Sequence, residues 1–356
     1  MDTKPDLRDL IFPQFTDFIV GLGLPATRAR HLFRQLYQPG INDFSEMSEV
    51  KKEVRELLAA HSVLSSLAPL AVEKSEDGTE KFAFRLADGA VIESVLIPEE
   101  DRHTLCVSSQ VGCAMGCSFC LTGTLGFTRN LTPAEIVNQV LAVITHMMQA
   151  GIKRATPREY VNNLVFMGMG EPLANYDNLL AALRILMDER GLEFTERRIT
   201  VSTCGLVPRI RDLGRDIKVN LAISLHAADD ETRSSLMPVN KTYNIEELLA
   251  ACRDFPLGKK KVILFEYILL KGINDSLADA RLLAEKFSGI PCRINLLPYN
   301  AAAEAGPYSC PESEDILAFQ KVLRDAGYNT FIRQSRGADI SAACGQLAGK
   351  KRDVEG

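Results

Sequence analysis

"CVSSQVGCAMGCSFCLTG", residues Cys106 to Gly123, places four of the chain's nine cysteines within fifteen positions. Cys113, Cys117 and Cys120 have the spacing C-x3-C-x2-C and follow the β-rich run "TLCVSS", while Gly112 and Gly116 free the backbone to turn around something bulky. A structural zinc site takes four ligands, usually in paired sets, and here a fourth is missing. Three thiolates suit a [4Fe-4S] cluster whose remaining iron is left open to a non-protein ligand, with a zinc knuckle or unrelated thiols as the plainer alternatives.

Downstream of the loop, apolar runs rich in β-formers alternate with amphipathic stretches: "NNLVFMG", "RITVST", "KVNLAISL", "KKVILFEYIL", "CRINLLPY" and "NTFIRQ". This alternation predicts a parallel sheet built from six or seven βα units. The first intervening helix is marked by the capping-box pair Thr132 and Glu135, by Pro133 at its first position and by Gly151 after its last turn. Polar or glycine-rich breaks close the predicted strands: Gly170-Glu171, Ser202, the Ser224-Leu225-His226 turn and Asn300. Each alone reads as a turn or cap residue, but ligands of parallel α/β folds bind at strand carboxyl ends, so together the breaks predict one pocket.

Upstream, residues 1–70 read as a small helical accessory domain, from the helical spacing in "PATRARHLFRQLYQPG" and "SEVKKEVRELLAAHSV". Residues 71–98 switch to a period of two, with Asp77-Gly78 and Asp88-Gly89 as turns, and predict a short β-meander extension. Residues 99–340 then form the α/β unit with its cluster loop at 113–120, and 341–356 a C-terminal loop with Cys344 and a basic tail.

Composition sets the context. The 356 residues, 46% of them hydrophobic, bury a large core, and neither a signal core nor a membrane-length apolar run is present, so the expectation is a cytoplasmic protein with no membrane partner. In that reducing setting cysteines serve as ligands, reactive thiols or core residues, and Cys204, Cys252, Cys292 and Cys310 read as buried apolar positions. A net charge of -5 argues against a general nucleic-acid binder, DNA included. Basic clusters at Lys153/Arg154/Arg158, Arg197/Arg198, Lys259–Lys261, Arg333/Arg336 and Lys350–Arg352 nevertheless permit an RNA partner.

With Phe119 before its last cysteine, the cluster loop resembles that of the radical S-adenosylmethionine (SAM) superfamily. The resemblance implies a partial (βα)6 barrel, a [4Fe-4S] cluster on Cys113, Cys117 and Cys120, and SAM bound at the open iron and cleaved to a 5'-deoxyadenosyl radical. Gly170, Glu171, Ser202, Ser224, Leu225, His226 and Asn300 would then contact SAM. The longer stretches "SSQVGCAMGCSFCLTGTLGFTRNLTPAEIVNQV", "FMGMGEPLANYDN", "SLHAADDETRSSLMPVNKTYNIEELL", "VILFEYILLKGINDS" and "DISAACGQL" resemble the RlmN/Cfr family of RNA methyltransferases, over most of the chain.

That family resemblance implies methylation of an adenine in the peptidyl-transferase region of 23S rRNA and of the adenine beside the anticodon of tRNA. Pro172 in "GEPLAN" is similar to the C2-methylating branch; the alternative is C8 methylation by a Cfr-like enzyme. It further implies that two SAM molecules are used per turnover, that Cys344 becomes S-methylcysteine and transiently crosslinks RNA, that Cys106 resolves the crosslink through a disulfide with Cys344, and that Glu93 accepts a proton. An external electron donor such as flavodoxin or ferredoxin would be required. From pattern alone Glu93, in "VIESVLIP", is equally an outward-facing strand residue. A radical SAM activase would share the cluster loop without needing Cys106 and Cys344 to react.

Overall fold

A computed structural model describes residues 4–259, 261–300 and 307–348; the basic tail at Lys350–Arg352 and Lys260 lie outside the described residues. The N-terminal segment forms three short helices, Phe12–Gly21, Ala29–Leu36 and Lys52–His61, whose apolar faces bury Phe15, Ile19, Leu32, Phe33, Leu36 and Leu58. Arg8 fixes this unit to the rest of the chain. Its buried guanidinium donates to the Leu36, Ile41 and Ser65 carbonyls and, at 2.9 Å, to Asn138 Oδ1 on the helix Pro133–Gln149. The N-terminus of that same helix offers the Ala134 N–H to Asp9 Oδ1 at 2.8 Å.

Among the described residues twelve strands follow. β1 (Pro69–Lys74), β2 (Glu80–Arg85), β3 (Val91–Glu99) and β4 (Arg102–Cys106) pair antiparallel in succession. β5 (Gln110–Gly112) and β6 (Phe127–Asn130) make a separate hairpin around the cluster loop. β7 (Asn163–Phe166), β8 (Ile199–Thr203), β9 (Asn220–Ser224), β10 (Ile263–Leu269), β11 (Cys292–Pro298) and β12 (Asn329–Ile332) continue from β4 in parallel. Each parallel strand lies where the sequence pattern predicts one.

The meander differs from the sequence expectation in its connection: it is the antiparallel edge of one ten-stranded sheet, ordered β1-β2-β3-β4-β7-β8-β9-β10-β11-β12. Laid flat, ten strands would reach about 43 Å from edge to edge. One cavity is nevertheless lined both by Leu70 and Ala71 of β1 and by Ile332 of β12, so the sheet curls into a partial barrel. Its helical layer begins with Pro133–Gln149, capped as the sequence indicates: Thr132 Oγ1 accepts the Glu135 N–H and Glu135 Oε2 accepts the Thr132 N–H.

Replacing Arg8 by Ala leaves three buried carbonyls and Asn138 without their donor, and the expected loss is about 3 kcal/mol of stability. Urea unfolding of Arg8→Ala against wild type, with limited proteolysis to locate the first opening near residues 5–64, checks this.

Candidate active site

The cavity enclosed by the barrel measures about 1040 Å³. All four strand-end breaks face it: Gly170-Glu171 after β7, Ser202 at the end of β8, Ser224 and His226 at the end of β9, and Asn300 after β11. Two glycines let the first break close on the strand leading to the cluster loop. A Cβ on Gly168 would lie 2.7 Å from Ser108 Oγ, and one on Gly170, where φ is +97°, would lie 2.4 Å from Gln110 Cβ. No residue with a Cβ fits at either position without moving the β7 exit away from the Val107–Gln110 segment.

Cys113, Cys117 and Cys120 all line this cavity. Gly112, at φ +74°, makes the close approach the loop needs, since a Cβ there would fall 1.9 Å from the Gly126 carbonyl oxygen. The turn is tied by the Cys113 N–H to Gly126 O at 2.9 Å and the Cys120 N–H to Cys117 O at 3.1 Å. Burial raises all three thiols, Cys113 to about 11, so an electropositive partner is needed to hold them as thiolates. Among the described residues no three His, Cys, Asp or Glu side chains converge on a single metal ion. The loop supplies three thiols, one short of the four protein ligands of a structural zinc, and three thiols suit a cluster with one open iron.

The rim residues divide by what they already bind. Both oxygens of buried Glu171 accept backbone N–H groups, from Leu173 at 3.0 Å and Cys204 at 2.8 Å, which ties the β7 exit to the β8 exit. His226 has φ +61°, and its Nδ1 accepts the Ile268 N–H at 3.0 Å, which places the ring proton on Nε2. Burial, followed by the Arg233 charge, lowers its pKa to about 3, so the ring is neutral. Phe119 of the cluster loop meets it edge-on, with centroids 4.9 Å apart. Leu225 departs from the expectation. Successive residues of a strand point to opposite faces, so Ser224 and His226 line the cavity while Leu225 is fully buried behind it, its carbonyl held by Arg233 Nε. Asn300 Nδ2 is buried in the wall without a hydrogen-bond partner, a polar atom waiting for a ligand.

Cys344 arrives on a C-terminal loop held from three sides. The cluster loop contributes the Leu121 N–H to Gly345 O at 2.7 Å and the Thr122 hydroxyl to Leu347 O at 2.6 Å. The β1–β2 turn contributes Asp77, which accepts the Gly337 N–H at 3.0 Å, and Ser75, which donates to Asp339 at 2.6 Å. The inner face of the meander contributes Lys81 Nζ, which donates to Ile340 O at 2.6 Å, and Glu93 Oε2, which accepts the Ala348 N–H at 2.9 Å. Glu93 therefore faces the cavity, 4.0 Å from Lys81 Nζ, and not the outside of an edge strand.

Cys106, at the end of β4, lines the same cavity. Burial and then the neighbouring Cys344 thiol raise its pKa. Cys344 is exposed to solvent along the cavity, yet the surrounding protein, with Glu266 adding to it and Arg333 opposing, raises its thiol to about 11. All nine cysteines are free. Cys252 is buried as expected, and Cys204 is buried in the cavity wall, but Cys292 is only half-buried and Cys310 is exposed. Both lie where a strand begins or a loop runs over the surface.

The sequence offered no handle on several neighbours: Lys81, Gln346 and the buried pair Glu266–Asn295, joined at 2.8 Å. The period-two pattern marks Lys81 and Glu93 as alternating strand residues but not as the two ends of one bridge. Of the basic clusters, Arg333 and Arg336 reach the cavity mouth.

A curled parallel sheet with a three-thiol loop at the carboxyl ends of its strands defines a radical SAM enzyme. The Radical SAM superfamily model matches residues 107–283, and the model for the ribosomal RNA large subunit methyltransferase N-terminal domain matches residues 5–64. Among curated proteins, the dual-specificity RNA methyltransferases RlmN of Desulfotalea psychrophila and Geobacter sulfurreducens are 54% and 52% identical, over 97% and 98% of this chain and 95% and 94% of theirs. A crystal structure of a radical SAM methyltransferase from Sphaerobacter thermophilus superposes with a TM-score of 0.90 at 44% identity, covering 97% of this chain and all of that one. The chain belongs to the RlmN family.

The Asp77 latch carries a pH signature. Burial opposes ionisation, but hydrogen bonds from Thr79, Gly337 and Ser75 outweigh it and bring the carboxyl to about 2. A depressed carboxylate stabilises the fold above its unfolded pKa, about 4, and loses that contribution as pH falls toward 2. In urea titrations Asp77→Asn should unfold earlier than wild type at neutral pH, and the gap should close over that acid interval.

Proposed function

We propose that this chain methylates C2 of adenine in 23S rRNA and in tRNA, with residues 1–70, 71–98, 99–340 and 341–356 acting as RNA-side accessory domain, meander, radical SAM barrel and thiol-bearing loop. The observation that carries the reading is the gathering of Cys113, Cys117, Cys120, Cys106, Glu93 and Cys344 around one cavity, from two widely separated parts of the chain, residues 93–120 and the C-terminal loop. The targets are the adenine of the peptidyl-transferase region and the adenine beside the anticodon. Both sit in non-helical RNA, where splaying a base into a pocket costs least.

Cys113, Cys117 and Cys120 hold the [4Fe-4S] cluster, and Gly170, Glu171, Ser202, Ser224, His226 and Asn300 receive SAM, with the backbone of Leu225 closing the turn between two of them. Bound together, cluster and SAM supply a carbon radical that removes hydrogen from an unactivated methyl group. The remaining work belongs to the protein. An adenine C2 carbon is not a nucleophile, so it cannot take a methyl cation directly from SAM. Cys344, as thiolate, displaces the methyl of one SAM: its C–S bond forms as the sulfonium C–S bond breaks. After hydrogen removal, the sulfur-bound carbon joins C2 and tethers the RNA to the loop.

Before release the adduct must give up its unpaired electron, which would return to the oxidised cluster, and the C2 proton, so that the ring is aromatic again; only then is the Cys344 C–S bond cleaved. Glu93, inside the cavity and braced by Lys81 and the Ala348 N–H, is placed to accept the proton. Cys106, as thiolate, attacks the Cys344 sulfur, the S–S bond forms, the C–S electron pair passes to the carbon, which takes up a proton to complete the methyl group as the base leaves, and an external dithiol reduces the disulfide. The electron for the cluster comes from a donor of the flavodoxin or ferredoxin kind. These partners, and the absence of any described helix long and apolar enough to cross a membrane, accord with work in the cytoplasm.

Cys344→Ala should abolish 2-methyladenosine in both RNAs, as read by nuclease digestion and mass spectrometry. Loss of 8-methyladenosine instead would assign the Cfr-like reaction. Cys106→Ala should retain the first methyl transfer to Cys344 but trap protein-linked RNA, visible as a slow band on a denaturing gel that nuclease removes.

A further inference from the structure

Gln346 lies two residues beyond Cys344, and its side chain is buried in the cavity wall. Its Nε2 donates to the Asn300 carbonyl at 3.2 Å. That bond fixes the orientation of the amide, because the reverse would set two carbonyl oxygens against each other. Oε1 is left buried with no partner. An acceptor in that state is destabilising unless a ligand supplies a donor, so its presence at the reacting loop points to a group that arrives with substrate.

Resting on the adenine methyltransferase reading above, we propose that Gln346 Oε1 accepts a hydrogen bond from the 6-amino group of an adenine, and that this adenine is the RNA base rather than the nucleoside of SAM. The choice between the two sources follows from position. Gln346 shares its loop with the thiol whose carbon must join C2, and the 6-amino group lies on the same ring as C2, one ring nitrogen away. Of the groups assigned to SAM only Asn300 meets this loop, through its backbone carbonyl, and the others sit on the exits of β7, β8 and β9.

The residue then acts as a specificity filter. Hypoxanthine also has hydrogen at C2, so the chemistry itself does not reject it. At position 6 it carries a carbonyl, which would face Oε1 acceptor to acceptor. Unsubstituted purine leaves Oε1 dry and unpaired. A site with a buried polar group rejects a ligand that lacks its partner far more strongly than an apolar wall does.

The test uses the reconstituted holoenzyme under anaerobic single-turnover conditions, with full-length tRNA carrying adenine, purine or hypoxanthine at the target position. Wild type should methylate adenine about 10- to 100-fold faster than purine, with hypoxanthine slower still. Gln346→Leu, close in size but without the oxygen, should lower the adenine rate by that factor and leave the purine rate unchanged. S-methylation of Cys344 by SAM in the absence of RNA, followed by mass spectrometry, should be unchanged.

Equal wild-type rates on adenine and purine would overturn the proposal without involving any protein variant, so a misfolded mutant cannot obscure the answer. If Gln346→Leu slowed adenine and purine alike, Gln346 would be a general packing residue and the proposal would fail. A parallel loss of Cys344 methylation would assign Oε1 to SAM and also overturn it. No methylated base from wild type on any tRNA or on rRNA would overturn the methyltransferase reading itself, and the filter with it.

Discussion

The site depends on holding a loop that has almost no secondary structure of its own. Residues 336–348 contain one short 3-10 turn and cannot satisfy their backbone groups internally, yet they deliver Cys344 into a cavity built by a distant part of the chain. Hydrogen bonds from the cluster loop, the β1–β2 turn and the meander supply the missing partners. Because these bonds are exchanged against water, each is worth only about 1 kcal/mol net. The loop is therefore held by their number, and it can yield locally when a macromolecular substrate has to approach.

The chemistry of Lys81 and Glu93 follows from the same constraint. Both side chains are less than a tenth exposed, at 7% and 8%, and Lys81 also lies 3.3 Å from Glu73. Burying a charge without a partner is prohibitive, whereas a buried bridge is close to neutral in energy. Its value here is geometric. One ammonium lies beside the Glu93 carboxylate and grips the Ile340 carbonyl, so the same group that helps hold Glu93 also holds the loop. The antiparallel edge of the sheet is thus a working wall of the barrel as much as an addition to it.

A second division of labour runs around the rim. The strand-end groups are largely pre-satisfied by one another, Glu171 by backbone N–H groups and His226 by Ile268, which makes that side of the cavity stiff. The unpaired buried atoms of the cavity wall among the described residues, Asn300 Nδ2 and Gln346 Oε1, lie where the C-terminal loop meets the β11 exit. Rigid preorganisation favours a small ligand bound the same way in every turnover, while unmet hydrogen-bonding capacity marks where ligands must supply the missing contacts.

Local signals were enough to read much of this from sequence. The C-x3-C-x2-C spacing, the Thr132/Glu135 cap, the two Asp-Gly turns and the breaks after each apolar run are short-range patterns, each dictated by the backbone geometry of a few neighbouring residues, and their structural counterparts are all in place. By itself the sequence determined the order of strands, the cluster loop and the common side on which the strand ends open. Tertiary structure alone decided that the meander joins the barrel sheet, that Glu93 faces inward, that Lys81 bridges it to the loop and that Gln346 keeps a free oxygen. Those outcomes rest on contacts between segments some 46 to 264 residues apart. No local periodicity encodes which face of a strand will find a partner there; only closure of the curled sheet brings the two sides together.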